Sequence, residues 1–345
     1  MLPAGLREAV RLVQAADLKS ITAIGRHTVF ANLIIWSLLI ALSLGGIWLA
    51  FRSLKAQKRL WKVTGVLGGG LLTLIFGAVA FFGAKGLWAL YVPVGEVPDL
   101  RVQGTPEQIA RGEYLSFVSC NGCHGADGQR DQPLTGGLDL AAEIPLPLGP
   151  MIAANITPAG IIRERSDGEL FRLLRYGFNG DNQVSAVMAN MPYRALSDED
   201  LVAIIAYLRS REPVESSGMR GSELNFLAAV MTGAGLFPIP EPIHGVVTAP
   251  PRGETAEYGR YVAIIGDCVT CHGPDLTGMP PSQLAPDGYP NPRPMAATWT
   301  LEQFVQTMRT GVRPTGQALD MPWENAAQMD DQDLAALYAF LTAEP

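Results

Sequence analysis

Four cysteines in this chain fall into two Cys-x-x-Cys pairs, Cys120/Cys123 and Cys268/Cys271. Each pair is followed directly by a histidine, His124 in CNGCH and His272 in CVTCH. Cys-x-x-Cys-His is the attachment pattern of haem c. The two thiols add across porphyrin vinyl groups as thioethers, and the spacing lets one helical turn present both sulfurs to one edge of the macrocycle. The adjacent imidazole then serves as the proximal iron ligand. A redox dithiol or a four-cysteine zinc site also uses Cys-x-x-Cys. Neither explains why histidine follows both pairs.

A sixth ligand is expected later in each half. Met191 in NMPYRALS and Met321 in DMPWENAA are the candidates, with Met188 and Met329 as alternatives. Thioether sulfur is a soft ligand that suits haem iron and raises its potential. Pro192 and Pro322 stiffen the loops that would present it. The remaining histidines, His27 and His244, fall before the first apolar run and in a Pro/Gly-rich stretch. Loop or interface roles are expected for both. The reading is two covalently bound haem c, held through Cys120, Cys123, His124, Cys268, Cys271 and His272. Iron would be ligated by His124 with Met191 and by His272 with Met321.

The elements that must position these residues occur twice. ARGEYLSFVSCNGCHG, LTGG and MPYRALSDEDLVAIIAYLRS recur in order as YGRYVAIIGDCVTCHG, LTG and MPWENAAQMDDQDLAALYAFLTA. Matching elements in one order argue for two copies of one unit. SDEDLVAIIAYL (197–208) aligns without gaps to DDQDLAALYAFL (330–341), with Ser197 and Asp330 as expected N-caps. Leu201, Ile204, Ile205 and Leu208 fall at helical spacing, as do Leu334, Leu337, Tyr338 and Leu341, and are read as core.

Upstream, residues 29–51 and 63–84 carry no charge, and each is long enough to cross a bilayer. The loop 52–62 holds Arg52, Lys55, Lys58, Arg59 and Lys62 without an acid, which places it in the cytoplasm by the positive-inside rule. Gly65 and Gly69 have the spacing that lets helix backbones approach, against the first helix or another subunit. The expected organisation is a 1–28 tail, with an interfacial helix as one form it could take, two transmembrane helices with their basic loop over 29–92, a first haem domain over 93–212, a linker over 213–253 and a second haem domain over 254–345.

Charge divides along the same boundary. Residues 1–92 hold ten Lys/Arg and two Asp/Glu, while residues 93–345 hold 16 Arg and 31 Asp/Glu. An acidic body excludes nucleic-acid binding. Asp198, Glu199 and Asp200 near Met191, and Asp320, Glu324, Asp330 and Asp331 near Met321, could form a rim that steers a basic carrier.

Over 105–345 the chain resembles the cytochrome subunits of bacterial membrane dehydrogenases, such as those serving quinoprotein alcohol and gluconate dehydrogenases. ANITPAGI (154–161), MPYRALSDEDLVAIIAYLRS (191–210), TWTLEQFVQTMRTGVRPTG (298–316) and MPW (321–323) carry the resemblance. That family typically has three haem modules and a C-terminal anchor, whereas this sequence has two modules and an N-terminal hairpin. The resemblance implies an all-α fold: a transmembrane helical hairpin, then two tandem class I cytochrome c domains. It implies an electron-transfer protein rather than an enzyme. The setting would be the periplasmic face of a bacterial inner membrane, in contact with lipid. The chain would be a subunit of, or acceptor for, a respiratory or photosynthetic oxidoreductase complex, passing electrons to a soluble cytochrome or terminal oxidase. A two-haem peroxidase and a structural or haem-sensor subunit are the alternatives. The first needs an open haem, usually with a bis-histidine partner, which the histidine count disfavours.

Overall fold

A computed structural model describes every residue except 1–3, 145, 181–182, 217–220, 222, 238, 282–284 and 345. The fold is all-α, and among the described residues β-structure is confined to four isolated bridges. In chain order the helices are α1 (Ala4–Ser53), α2 (Arg59–Tyr91), α3 (Pro106–Ser119), α4 (Asn121–His124), α5 (Asp167–Tyr176), α6 (Ala186–Asn190) and α7 (Asp198–Ser210). They continue with α8 (Phe226–Gly233), α9 (Ala256–Ile265), α10 (Cys268–His272), α11 (Arg293–Ala296), α12 (Leu301–Thr310) and α13 (Asp331–Thr342). The chain forms two compact units. One contains residues 1–93, 139–152 and 220–239; the other contains 94–138, 153–219 and 240–345.

The first unit is built on an antiparallel pair of long helices. Thr28–Ser53 and Arg59–Tyr91 are both long and apolar enough to cross a membrane. The segment before residue 28 continues the first span as one helix from Ala4. Large apolar side chains such as Leu38, Trp48, Leu67 and Leu74 point outward, as lipid-facing residues would. The two helices approach closely at Gly46 and Gly69, where a Cβ on Gly69 would lie 2.5 Å from the Gly46 carbonyl oxygen. Gly65 faces Ser53. The glycines thus serve contact with α1. Trp36 Nε1 donates to the Ala80 carbonyl at 3.0 Å, pinning the register.

The Pro/Gly-rich stretch between the two copies of the repeat holds a helix that belongs to this unit. Asn225 caps α8 by accepting from the Ala228 amide at 3.2 Å. α8 packs on α2 through small residues: a Cβ on Gly86 would meet the Ala229 carbonyl oxygen at 1.7 Å, and one on Gly83 would meet the Phe226 ring. Asn32 donates to the Leu224 carbonyl at 3.2 Å, tying α1 to the same stretch. The sequence reads 213–253 as a linker from its Pro and Gly content, with an apolar run too short to span a bilayer and expected to pack against the domains or the membrane surface. The structure gives that run an 8-residue helix seated on glycines of α2.

The second unit holds the two copies of the repeat. In the first, α3 starts at a Thr105/Gln108 capping box, α5 at a Ser166/Glu169 capping box and α7 at Ser197. In the second, Thr255 starts α9, a Thr300/Gln303 capping box starts α12 and Asp330 starts α13. Both sequence-expected N-caps are present: Ser197 accepts from the Asp200 amide at 3.1 Å and Asp330 from the Asp333 amide at 2.9 Å. In each copy the first helix crosses the last at a glycine. A Cβ on Gly112 would stand 1.9 Å from the Ala203 carbonyl oxygen, and one on Gly259 would stand 1.9 Å from that of Ala336. These positions need glycine because another backbone passes where a side chain would begin. Around the crossings Leu201, Ile204, Ile205, Leu334 and Leu337 are buried, each contributing about 1.5–3 kcal/mol by leaving water.

Candidate haem-binding sites

The crossing helices deliver each Cys-x-x-Cys-His motif to the same place. α3 ends at Ser119, and the chain turns at once into α4, so Cys120, Cys123 and His124 share one short helical segment. α9 ends at Ile265 and α10 carries Cys268, Cys271 and His272. The second copy has one extra residue here, Asp267, in the left-handed region with φ 60°.

The two imidazoles are held alike. His124 Nδ1 donates to the Ala154 carbonyl at 2.8 Å, and His272 Nδ1 donates to the Pro290 carbonyl at 2.8 Å. In each copy a glycine of the Leu-Thr-Gly turn donates back to the histidine carbonyl, Gly136 at 2.8 Å and Gly278 at 2.9 Å. With Nδ1 donating, the proton is fixed there and Nε2 keeps a free lone pair. That is how ligating histidines are oriented. Burial pushes the His124 pKa down, against the hydrogen bond to Ala154, which favours the neutral form a ligand must have.

None of the four cysteines is in a disulfide. Burial pushes Cys120 and Cys268 up to about 12 and raises Cys123 and Cys271 as well. Among the described residues no three Cys, His, Asp or Glu side chains converge on a metal position. The two cysteine pairs therefore do not assemble the four-sulfur site that zinc would need. Two thiols on one helical turn beside an oriented imidazole do fit a haem attached by thioethers.

Both candidate methionines lie at the edge of the core in equivalent loops. Met191 links α6 to the turn Pro192–Ala195, and Met321 precedes Pro322 and Trp323. Both are half-buried and pack against the shared core. Met329 is 1 % exposed and occupies the place that Leu196 holds in the first copy, directly before the N-cap of the closing helix. It fills the core as Leu196 does. Met188 is half-buried on α6.

Sequence reasoning overlooked an arginine that ties each methionine loop down. Arg175, 1 % exposed at the end of α5, donates to the carbonyls of Arg194 and Leu196 (the latter at 2.8 Å) and pairs with Asp198 at 2.5 Å. Arg309, at the end of α12, donates to the Ala327 carbonyl at 2.7 Å and pairs with Asp331 at 2.8 Å. Each precedes a left-handed glycine by two residues, Gly177 at φ 76° and Gly311 at φ 67°. The repeated Arg-x-Gly was the available signal. Gly177 packs on Ala189 and Gly311 on Trp323, so a side chain at either would push on a methionine loop.

The acidic rim is thinner than the sequence suggests. Asp198 and Asp331 are held by those arginines, Asp200 by Arg111 and Asp330 by Arg252. Of the seven acids near the methionines, Glu199, Asp320 and Glu324 are exposed without such a pairing.

The profile of the cytochrome c family matches residues 109–212 and 256–343, more than half of the chain. The fructose dehydrogenase cytochrome subunit of Gluconobacter japonicus is 25% identical over 261 residues, covering 69% of this chain and 52% of that protein. The gluconate 2-dehydrogenase cytochrome c subunit of Pantoea cypripedii is 30% identical over 196 residues, covering 54% and 42%. Cytochrome c-554(548) of Halomonas halodenitrificans is 35% identical over 80 residues, covering 23% of this chain and 87% of that protein. The chain spans about half or less of the two dehydrogenase subunits. Two family matches, each enclosing one oriented Cys-x-x-Cys-His set, place the chain in the cytochrome c family.

Proposed function

We propose that this chain carries two haem c groups and relays electrons on the outer face of the membrane that its hairpin crosses. The observation that carries this reading is the duplication of a complete site: two cysteines on one turn, an imidazole with Nδ1 tied to a carbonyl, and a methionine-proline loop, in the same order twice. Cys120 and Cys123 would hold one haem, with His124 and Met191 as the ligands to its iron. Cys268 and Cys271 would hold the other, with His272 and Met321. The haem would supply one-electron chemistry between Fe(III) and Fe(II), and the residues that ligate and surround it would set its potential. Two protein ligands for each iron would leave no place for a substrate, which separates a relay from a peroxidase or a gas sensor.

The basic 52–62 loop supports the orientation, since it favours the cytoplasm and leaves residues after 92 outside. The dehydrogenase subunits among its relatives support a place in a membrane oxidoreductase complex. Within it, electrons would pass to a soluble cytochrome or a terminal oxidase. One experiment tests both halves of the proposal. In intact spheroplasts a membrane-impermeant reductant should reduce both haems, and carbon monoxide should leave the reduced spectrum unchanged. Reduction only after permeabilisation would overturn the orientation, and a carbon monoxide complex would overturn the relay.

A further inference from the structure

The two haem modules meet through a pair of contacts related by the repeat itself. Tyr114 and Tyr261 occupy the same position, two residues after Gly112 and Gly259 on the first helix of each module. Asp200 and Asp333 likewise match, each in the first turn of a closing helix. Tyr114 Oη donates to Asp333 Oδ2 at 2.6 Å and accepts from the Asp330 amide at 3.3 Å. Reciprocally, Tyr261 Oη donates to Asp200 Oδ2 at 2.7 Å and accepts from the Ser197 amide at 2.8 Å. Each tyrosine of one module thus reads the helix start of the other.

These contacts are buried and charge-assisted. Asp200 is 6% exposed and Asp333 is fully buried. Arg111 grips Asp200 with two bonds of 2.8 Å, and Arg252 reaches Asp333 at 3.2 Å. A hydrogen bond to an ionised carboxylate away from water is among the stronger neutral-to-charged contacts a fold can make.

The same interface brings the two attachment motifs together. Ser119, the residue before Cys120, donates through Oγ to the Ile265 carbonyl at 2.7 Å, three positions before Cys268. Arg130, in the loop after His124, donates to Asn325 in the Met321 loop of the second module.

We propose that electrons pass directly between the two haems across this junction, and that Tyr114 and Tyr261 are the positioning residues that fix its geometry. This rests on the two-haem reading above. The step moves one electron from Fe(II) on one side to Fe(III) on the other. No bond forms or breaks and no proton is transferred. A pair of independent haem modules on a flexible tether would need neither the reciprocal tyrosines nor the Ser119–Ile265 bond.

The test uses the full-length protein in detergent, poised half-reduced, with electron exchange between its haems read from the haem methyl signals in proton NMR. The native protein should show exchange at a rate independent of protein concentration. The Tyr114→Phe/Tyr261→Phe variant should keep both haems and both potentials, yet exchange at least about tenfold more slowly, the order of loss that a small misplacement of reacting groups brings. If that variant fails to load two haems, Ser119→Ala should slow exchange in the same direction by a smaller factor. Exchange that scales with protein concentration, or an unchanged rate in a fully loaded variant, would overturn the junction. Failure of the two-haem reading is distinguishable, because the fully oxidised native protein would then show fewer than two sets of haem methyl signals.

Discussion

Replacing Met321 with His is expected to lower the potential of one haem by on the order of 100 mV, a modest part of the ~0.8 V range that axial ligands command, while the other haem barely moves. Imidazole favours Fe(III) relative to a thioether, so the sign is fixed by ligand chemistry. The structure supplies the control. Met329 lies in the core where the first module has Leu196, so Met329→Leu should leave both potentials in place and cost less than about 1.5 kcal/mol, as volume-conserving core exchanges do. A spectroelectrochemical titration of the two variants separates the roles. An unchanged Met321→His titration beside a collapsed Met329→Leu haem would show that Met329 is the ligand.

The second large effect concerns stability. Arg175→Met should destabilise the first repeat by about 3 kcal/mol, because the buried Leu196 carbonyl and the part-buried Arg194 carbonyl lose their donor and Asp198 loses its partner. The matching Arg309→Met should cost only about 1 kcal/mol. Its partner Asp331 is 86% exposed, so the ion pair is screened by water, and mainly the bond to the Ala327 carbonyl is lost. Thermal unfolding of the two variants, followed through haem absorbance, checks the ranking. Equal losses, or a larger loss for Arg309→Met, would mean that the methionine loops are held by something other than these arginines.

The parts of the fold carried by local pattern were readable in the sequence. The Cys-x-x-Cys-His motifs, the N-caps Ser197 and Asp330 and the apolar stripes of the closing helices depend on neighbours within a turn or two. The helices long enough to cross a membrane likewise follow from uncharged length. What stayed hidden depends on partners far along the chain. Asp200 reads as a helix-start acid with a possible docking role, but Arg111 and Tyr261 claim it from 89 and 61 residues away. Asp333 is claimed by Tyr114 from 219 residues away. Asp200, one of the acids read as a docking rim, is therefore an internal strut. The α8 segment was hidden for a related reason. Its eight residues are too few to announce a helix, and the glycines of α2 that receive it lie some 140 residues earlier.

Covalent haem on the purified full-length protein can be counted by intact mass and by the pyridine haemochrome spectrum after acid–acetone extraction. Two haems per chain should survive extraction, and one in a Cys268→Ala/Cys271→Ala variant that keeps His124 and its cysteines. Haem that washes out, a single haem in the native protein, or zinc in place of iron would rule out two complete haem sites on one chain.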